Sequence, residues 1–444
     1  MTPSRLIPLA AAMAVAFAVA PARAQSLMEL YEAARAHDAA WQSARAQYEA
    51  NLARAEQARA GILPSAGLAA GVNRTQLDNT NAAMPDRSFN SQTATLSAAQ
   101  PLYRPANWAT YQQGLLQAEL AKAQLTAASQ DLIVRVSQAY FDVLAAQDTL
   151  AFVRAQKAAV SEQLASAKRN FEVGTATITD TREAQARFDL VTAQEIQAEN
   201  ELRVRKLALD TLTGKPNSQP VPLAAPLIVP APEPSDVNAW VEQAEASSPA
   251  ILQARTNVDI AQWETEKAKA GHKPTLDAVA SYNIGRNPQG TATSALGNRS
   301  NTAQVGVTFN LPLFAGFATQ NRIRETLSLE DKARSDLEAA RRNVAQATRT
   351  AYFGLLSGQG QVKALEAAEA SSQLALDANR LGYQVGVRIN IDVLNAQSQL
   401  FQTKRDLAQA RYNVLLGHLK LRQANGTLVP EDLQRLNALL APTR

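Results

Sequence analysis

The sequence predicts an α+β membrane protein, internally duplicated, in which long antiparallel coiled-coil α-helical hairpins carry four transmembrane β-strands per chain. Three observations predict it. Motifs of the first half recur in the same order in the second. Four stretches of about ten residues alternate between apolar and polar side chains. Two proline-free stretches run far beyond the length of an ordinary globular helix.

The duplication sets the layout. Ala60-Gly61 and Pro64 match Ala270-Gly271 and Pro274, and Pro101-Leu102-Tyr103 matches Pro312-Leu313-Phe314. Tyr140-Phe141 matches Tyr352-Phe353, and Gly214 matches Gly426. Val173-Gly174 with Asp180, Ala184 and Gln185 matches Val385-Gly386 with Asp392, Ala396 and Gln397. The interval is roughly 210 residues throughout. Residues 25–213 and 235–426 are therefore the two copies, and 427–444 form a C-terminal segment. Residues 214–234 join them, with prolines that remove backbone donors and forbid a continuous helix, so this stretch reads as an extended connector.

Each copy opens with a helix. Ser26 to Ala60 and Ser235 to Ala270 are rich in Ala, Glu and Gln, with a break expected at Pro249. Gly61 and Gly271, followed by Pro64 and Pro274, mark the stops. Strands follow at about 62–77 and 91–103, and again at about 274–286 and 302–314. Ala303, Val305, Val307, Phe309, Leu311 and Leu313 alternate with Gln304, Gly306, Thr308 and Asn310. Leu276, Ala278, Ala280, Tyr282 and Ile284 do the same, as do Ala94, Leu96, Ala98 and Leu102, and more weakly Leu68, Ala70 and Val72. A period of two with an apolar face and a small, polar face, over about ten residues, fits a membrane-spanning strand. Polar loops at 78–90 and 285–301 link each pair. Four strands cannot close a barrel alone. About eight give an interior filled by side chains, so a duct with an open lumen needs three chains and twelve strands.

The long helices, about 106–171 and 317–383, would each reach about 100 Å at the α-helical rise. Leu337, Val344, Ala351 and Leu365 keep a seven-residue register, as do Leu125 and Leu132. After a tight turn each returns, so the helical hairpins span about 106–213 and about 317–425. Gly174 and Gly386 can take positive φ and end the outgoing helices. Thr177 and Asn390 read as N-caps of the returning ones, with Asp180 and Asp392 in the first turn, where the helix dipole favours a carboxylate.

Residues 1–24 read as a secretory signal: Arg5, an apolar run from Leu6 to Ala20 too short to span a bilayer, then Ala22-Arg23-Ala24. The chain contains no cysteine, which excludes disulfides, thiolate metal sites and a lipidated N-terminal Cys. With 44 basic and 40 acidic residues and 5% aromatics, the balance gives no support to nucleic-acid binding. His37, His272 and His418 lack ligand spacing and read as lone exposed residues, and no nucleophile or phosphate-loop motif appears, so neither a cofactor nor an enzyme is expected. The competing class is a periplasmic coiled-coil adaptor or scaffold, which would wash off membranes without detergent.

The duplication, the Pro-Leu-aromatic strand ends and the tips VGTATITD (173–180) and VGVRINID (385–392) together resemble the TolC family of outer-membrane efflux and secretion channels, over essentially the whole mature length. The absence of cysteine makes the chain similar to the non-lipidated branch. The resemblance implies a homotrimer whose twelve-stranded barrel sits in outer-membrane lipid and whose α-helical tunnel crosses the periplasm. It implies partners: a periplasmic adaptor protein and an inner-membrane transporter of the ABC or proton-driven type, serving type I protein secretion or multidrug efflux. By position, Tyr383 and Arg388 match latch residues that hold the periplasmic end shut, with partners at Thr179 and Asp180. Asp392 matches an acidic constriction, whereas the position of a second acidic ring is Asn395, which implies weaker cation selectivity. Val173, Gly174, Val385 and Gly386 match the tip contacts with the adaptor.

Overall fold

The computed structural model describes residues 25–78, 86–224 and 231–440. The predicted signal segment, the middle of the connector and part of the first strand loop lie outside the described residues. In order, the elements are α1 (Leu27–His37), α2 (Ala39–Ala60), β1 (Ser65–Leu77), β2 (Arg87–Tyr103), α3 (Pro105–Glu172) and α4 (Ile178–Thr213). Then come α5 (Val237–Ser247), α6 (Pro249–Lys269), β3 (Thr275–Asn287), β4 (Asn298–Asn310), α7 (Ala318–Gln384), α8 (Asn390–Ala424) and α9 (Glu431–Asn437).

The strands form one antiparallel sheet in the order β1-β2-β3-β4. Its register sorts the faces. Ala66, Ala98, Ala280 and Val305 form one rung, and Leu68, Leu96, Tyr282 and Ala303 the next, all on one side. Gly67, Ser97, Ser281 and Gln304 lie on the other, as do Ala69, Thr95, Asn283 and Thr302. The apolar side is bare: Leu68 is 76% exposed and Val305 85%.

Strand ends differ from the alternation. β2 begins at Arg87 and β4 at Asn298, because their partners reach Leu77 and Asn287 and carry polar residues into the ladder. β4 ends at Asn310, opposite Thr275, the residue after Pro274, so Leu311 and Leu313 lie beyond the ladder. Leu102 falls at a register shift between Pro101 and Tyr103, which leaves Tyr103 opposite Leu276.

The helices continue the sheet as a curtain. Next to the strands the order is α2-α3-α6-α7, and farther away it is α4-α3-α8-α7. α3 and α7, of 68 and 67 residues, run through both levels, about 100 Å each. Among the described residues no helix is long and apolar enough to cross a membrane.

Ser26–Ala60 is not one helix. It breaks at Asp38, matching the break at Ser248–Pro249 in the second copy. The break lies in a belt at mid-height, where α1, α9 and the connector pack on α3 and α8 around Leu27, Tyr31, Tyr140, Phe141, Leu415 and Leu433. Tyr140 donates its hydroxyl to the Val221 carbonyl at 2.8 Å, and Tyr352, its counterpart, donates to the Ser235 carbonyl. The duplicated tyrosines thus fasten the two ends of the connector to the two long helices. Tyr412 donates to Asp148 at 2.6 Å, and burial pushes the Asp148 carboxyl up against that bond. His418 is half-buried in the belt, not exposed as its isolation in sequence led us to expect.

Asp38 caps α2, accepting from the Trp41 N–H at 2.7 Å, and takes both Nη atoms of Arg135 on α3, at 2.9 and 3.1 Å. The Arg135 bonds, opposed by burial, hold its carboxyl below the usual 3.8. A depressed carboxylate contributes stability above its unfolded pKa and loses it as pH falls through the lower folded value. Asp38→Ala should cost about 2 kcal/mol in urea unfolding near neutral pH, through the lost cap and charged hydrogen bonds. The deficit relative to wild type should shrink below about pH 4.

Candidate functional site at the helical tips

The two hairpin turns share one backbone. In the first, Gly174 has φ 79° and the N–H groups of Thr175 and Ala176 both return to the Asn170 carbonyl. In the second, Gly386 has φ 79° and the N–H groups of Val387 and Arg388 return to the Gly382 carbonyl. Glycine takes this left-handed conformation without a Cβ clash, which fixes the turn's position. Val173 and Val385 are 72% and 65% exposed, and no heavy atom lies within 4 Å of where a Cβ would stand on either glycine. All four predicted tip-contact residues are therefore at the open end of the curtain.

The caps differ. Thr177 is the N-cap of α4 in a reciprocal box: its hydroxyl accepts from the Asp180 N–H at 3.2 Å, and Asp180 Oδ2 accepts from the Thr177 N–H at 2.9 Å. The Thr177 hydroxyl is also 2.7 Å from Oδ2. In the second tip Asn390 is not the cap. Ile389 holds that position without a side-chain bond, and Asn390 is the first helical residue. The reason is that Asn390 is fully buried and spoken for elsewhere. Its amide donates to the Asp180 carbonyl at 3.2 Å and its oxygen accepts from Gln163 on α3. Asp392 is consequently not drawn into a capping box, unlike its counterpart Asp180.

Arg388 lies 3.7 Å from Asp392, one turn away, with its stem folded over Gly382, where an added Cβ would stand 2.6 Å from Arg388 Cγ. Tyr383 is half-buried, and its hydroxyl accepts from Asn170 of α3 at 3.2 Å. Asn395 accepts from Arg187 of α4 at 2.9 Å. Thr179 is exposed at the start of α4. Within one chain, then, the predicted latch residues have other partners. Arg388 faces Asp392 and Tyr383 faces Asn170, while Thr179 and Asp180 sit on the neighbouring hairpin.

Sequence reasoning missed Gln163, Asn170, Arg187 and the cross-hairpin role of Asn390. These pairs are separated by 227, 213 and 208 residues, and an amide on an Ala-rich helix carries no local sign of such a partner. They tie the first hairpin to the second beside an apolar cluster in which Leu394 and Ile391 of α8 pack on Leu164 and Ala167 of α3 and Ala184 and Phe188 of α4. That cluster is smaller than the belt's and lacks its buried aromatic rings, so the junction separates at lower cost. Among the described residues no three His, Asp or Glu side chains gather where they could hold a metal ion.

The model of the family described as "Outer membrane efflux protein" matches residues 30–215 and again 240–427, once in each half. The chain is 35% identical over 434 residues to outer membrane protein TolC of Vibrio cholerae, covering 98% of both chains. It is 32% identical over 422 residues to the alkaline protease secretion protein AprF of Pseudomonas aeruginosa, covering 94% of this chain and 87% of that one. Among solved structures, a membrane protein from Pseudomonas aeruginosa superposes with a TM-score of 0.79 at 21% identity, covering 90% of this chain and 93% of that one.

Replacing Asn390 by Ala leaves Gln163 and the Asp180 carbonyl without their buried partner, a loss of about 1–3 kcal/mol at the tip. Faster proteolytic cutting at the 173–177 turn, with an unchanged belt in hydrogen exchange, is the expected result.

Proposed function

Because the chain belongs to the outer membrane efflux protein family, we propose that three copies close into one duct whose tips form a gate operated by a docking partner. The protein is an outer-membrane exit channel of a tripartite export system, with its helical tunnel in the periplasm.

One observation carries the trimer: both layers are open rows whose two edges match. β1 and β4 are the edges of the sheet and run antiparallel, so β4 of one copy can pair with β1 of the next without breaking the antiparallel pattern. The helix row ends in α4 on one side and α7 on the other. α7 exposes Phe353, Gly360, Ala367, Leu374 and Leu381, a seven-residue repeat along one face. α4 exposes Ala186, Leu190 and Ala193 at spacings of four and three, and Val204 and Leu207 about three turns further along the same face. Both stripes occupy the half of the hairpin between belt and tip, so α7 of one copy can seat knobs on α4 of the next along about 30 Å. Three copies supply twelve strands and twelve tunnel helices, enough for an open lumen. A scaffold confined to the periplasm would have no use for a sheet with a bare apolar face.

At the tips, Arg388 and Tyr383 latch the mouth, with Thr179 and the unbonded Oδ1 of Asp180 as partners supplied where hairpins meet. Three Asp392 carboxylates form the constriction, each partly offset by its own Arg388. One turn deeper, Asn395 with Arg187 replaces a second acidic ring, so the mouth selects cations less strongly than a two-ring relative. Val173, Gly174, Val385 and Gly386 present the docking surface for the adaptor's own tips. The duct itself is passive, and energy comes from an inner-membrane transporter, ATP-driven or proton-driven. Relatives named for protease secretion support a protein cargo; a deletion strain assayed for lost protein secretion and for antibiotic sensitivity tests cargo class.

Leu374→Glu with Leu381→Glu should convert the detergent-solubilised trimer to monomer in light-scattering chromatography; a trimer that persists would remove the α4–α7 seam. In planar bilayers, Arg388→Ser with Tyr383→Phe should raise single-channel conductance several-fold, and Asp392→Ala should lower cation selectivity without opening the mouth.

A further inference from the structure

We infer that the outer rim of the strand layer binds the phosphate of a lipid headgroup through Arg286 and Arg299. The inference rests on the barrel reading above, which turns the apolar sheet face toward lipid.

Arg286 on β3 and Arg299 on β4 are direct cross-strand partners. They complete the rung Val72, Gln92, Arg286, Arg299, which register places on the same face as Leu68, Leu96, Tyr282 and Ile284. Like charges directly opposite on a sheet repel and destabilise the pair. Nothing among the described residues offsets this. Both side chains are exposed, and among the described residues neither guanidinium lies within salt-bridge distance of a carboxylate. Arg74, one rung farther out on β1 and opposite Asn90, adds a third arginine on the same face, again without an acidic partner. By contrast, Arg104 at the helical end of the sheet is held by Asp277 at 2.6 Å. The unpaired arginines are confined to the rim away from the helices.

The height of that rim fits a headgroup. At the helical end, Tyr103, Leu276 and Phe309 form the last outward rung, with Trp108, Phe314 and Phe317 exposed just below. Aromatic residues of this kind mark a membrane–water boundary. From Leu276 to Arg286, and from Phe309 to Arg299, the strands advance ten residues. At about 3.4 Å per residue and a tilt of about 40°, the two levels stand about 26 Å apart, the height of a barrel's apolar band. The arginine pair therefore sits at the outer boundary, where lipid phosphates lie. Guanidinium groups take phosphate through paired N–H bonds, so an anion between the two forks turns a repulsive pair into an attractive one.

The test titrates the detergent-solubilised protein with bis-phosphorylated lipid A, with the same lipid dephosphorylated, and with inorganic phosphate, and reads bound ligand by native mass spectrometry. Wild type should retain the phosphorylated lipid at least about tenfold better than Arg286→Gln with Arg299→Gln, the loss of one or more charged hydrogen bonds. Arg286→Lys with Arg299→Lys should keep most of the binding, and the dephosphorylated lipid and inorganic phosphate should bind weakly to every form. Equal retention by wild type and the glutamine variant overturns the inference, as does equal retention of the dephosphorylated lipid. Tight binding of inorganic phosphate alone also overturns it, since the site would then serve a free anion. Flotation with phospholipid vesicles keeps the two readings apart. A protein that fails to float refutes the barrel; one that floats and holds the phosphorylated lipid regardless of these arginines refutes only the site.

Discussion

An unpaired strand edge cannot face lipid. Each exposed N–H or C=O in hydrocarbon costs several kcal/mol, and a four-stranded sheet has two such edges. Among the described residues nothing covers them, since α2 and α7 flank the helices rather than the strands. The sheet's bare apolar face and its open edges make one demand, closure with further copies. The helix row repeats that demand below, with exposed apolar seams on α4 and α7. Strand pairing and helix packing thus ask for the same ring, and α3 and α7 keep the two in register because each is a single helix through both levels.

Along the tunnel, packing is graded. The belt at mid-height concentrates the large buried side chains, with tyrosine hydroxyls anchoring the connector and the Asp38–Arg135 pair fixing the joint of α1 and α2. The tips bury a smaller apolar cluster around Leu394 and are otherwise joined through side-chain hydrogen bonds of Gln163, Asn170 and Arg187. Local opening therefore costs less at the tips than at the belt.

Duplication supplies the architecture, and divergence supplies the function. The two tips share backbone bonds residue for residue, yet Thr177 engages Asp180 in a cap while Ile389 leaves Asp392 uncapped. One change of cap residue separates an aspartate held in a capping box from one left outside it. The same logic applies at Asn390, whose counterpart Ile178 is exposed. A position that is surface in one copy becomes a buried tie between hairpins in the other.

Local periodicity was sufficient for the element types. Alternation over ten residues, a proline-free run and a Gly at each turn depend only on near neighbours, and they placed the long helices and the four strands. The strand faces were legible for the same reason, since side-chain direction follows a period of two. The break at Asp38, the bulge at Leu102 and the early start of β4 were not, because each is set by a partner element rather than by its own residues. At the tips the sequence by itself determined where each helix turns, through Gly174 and Gly386. Only the tertiary structure decided which side chains meet there, because Gln163 and Asn390, or Asn170 and Tyr383, become neighbours only when two separately coded hairpins pack.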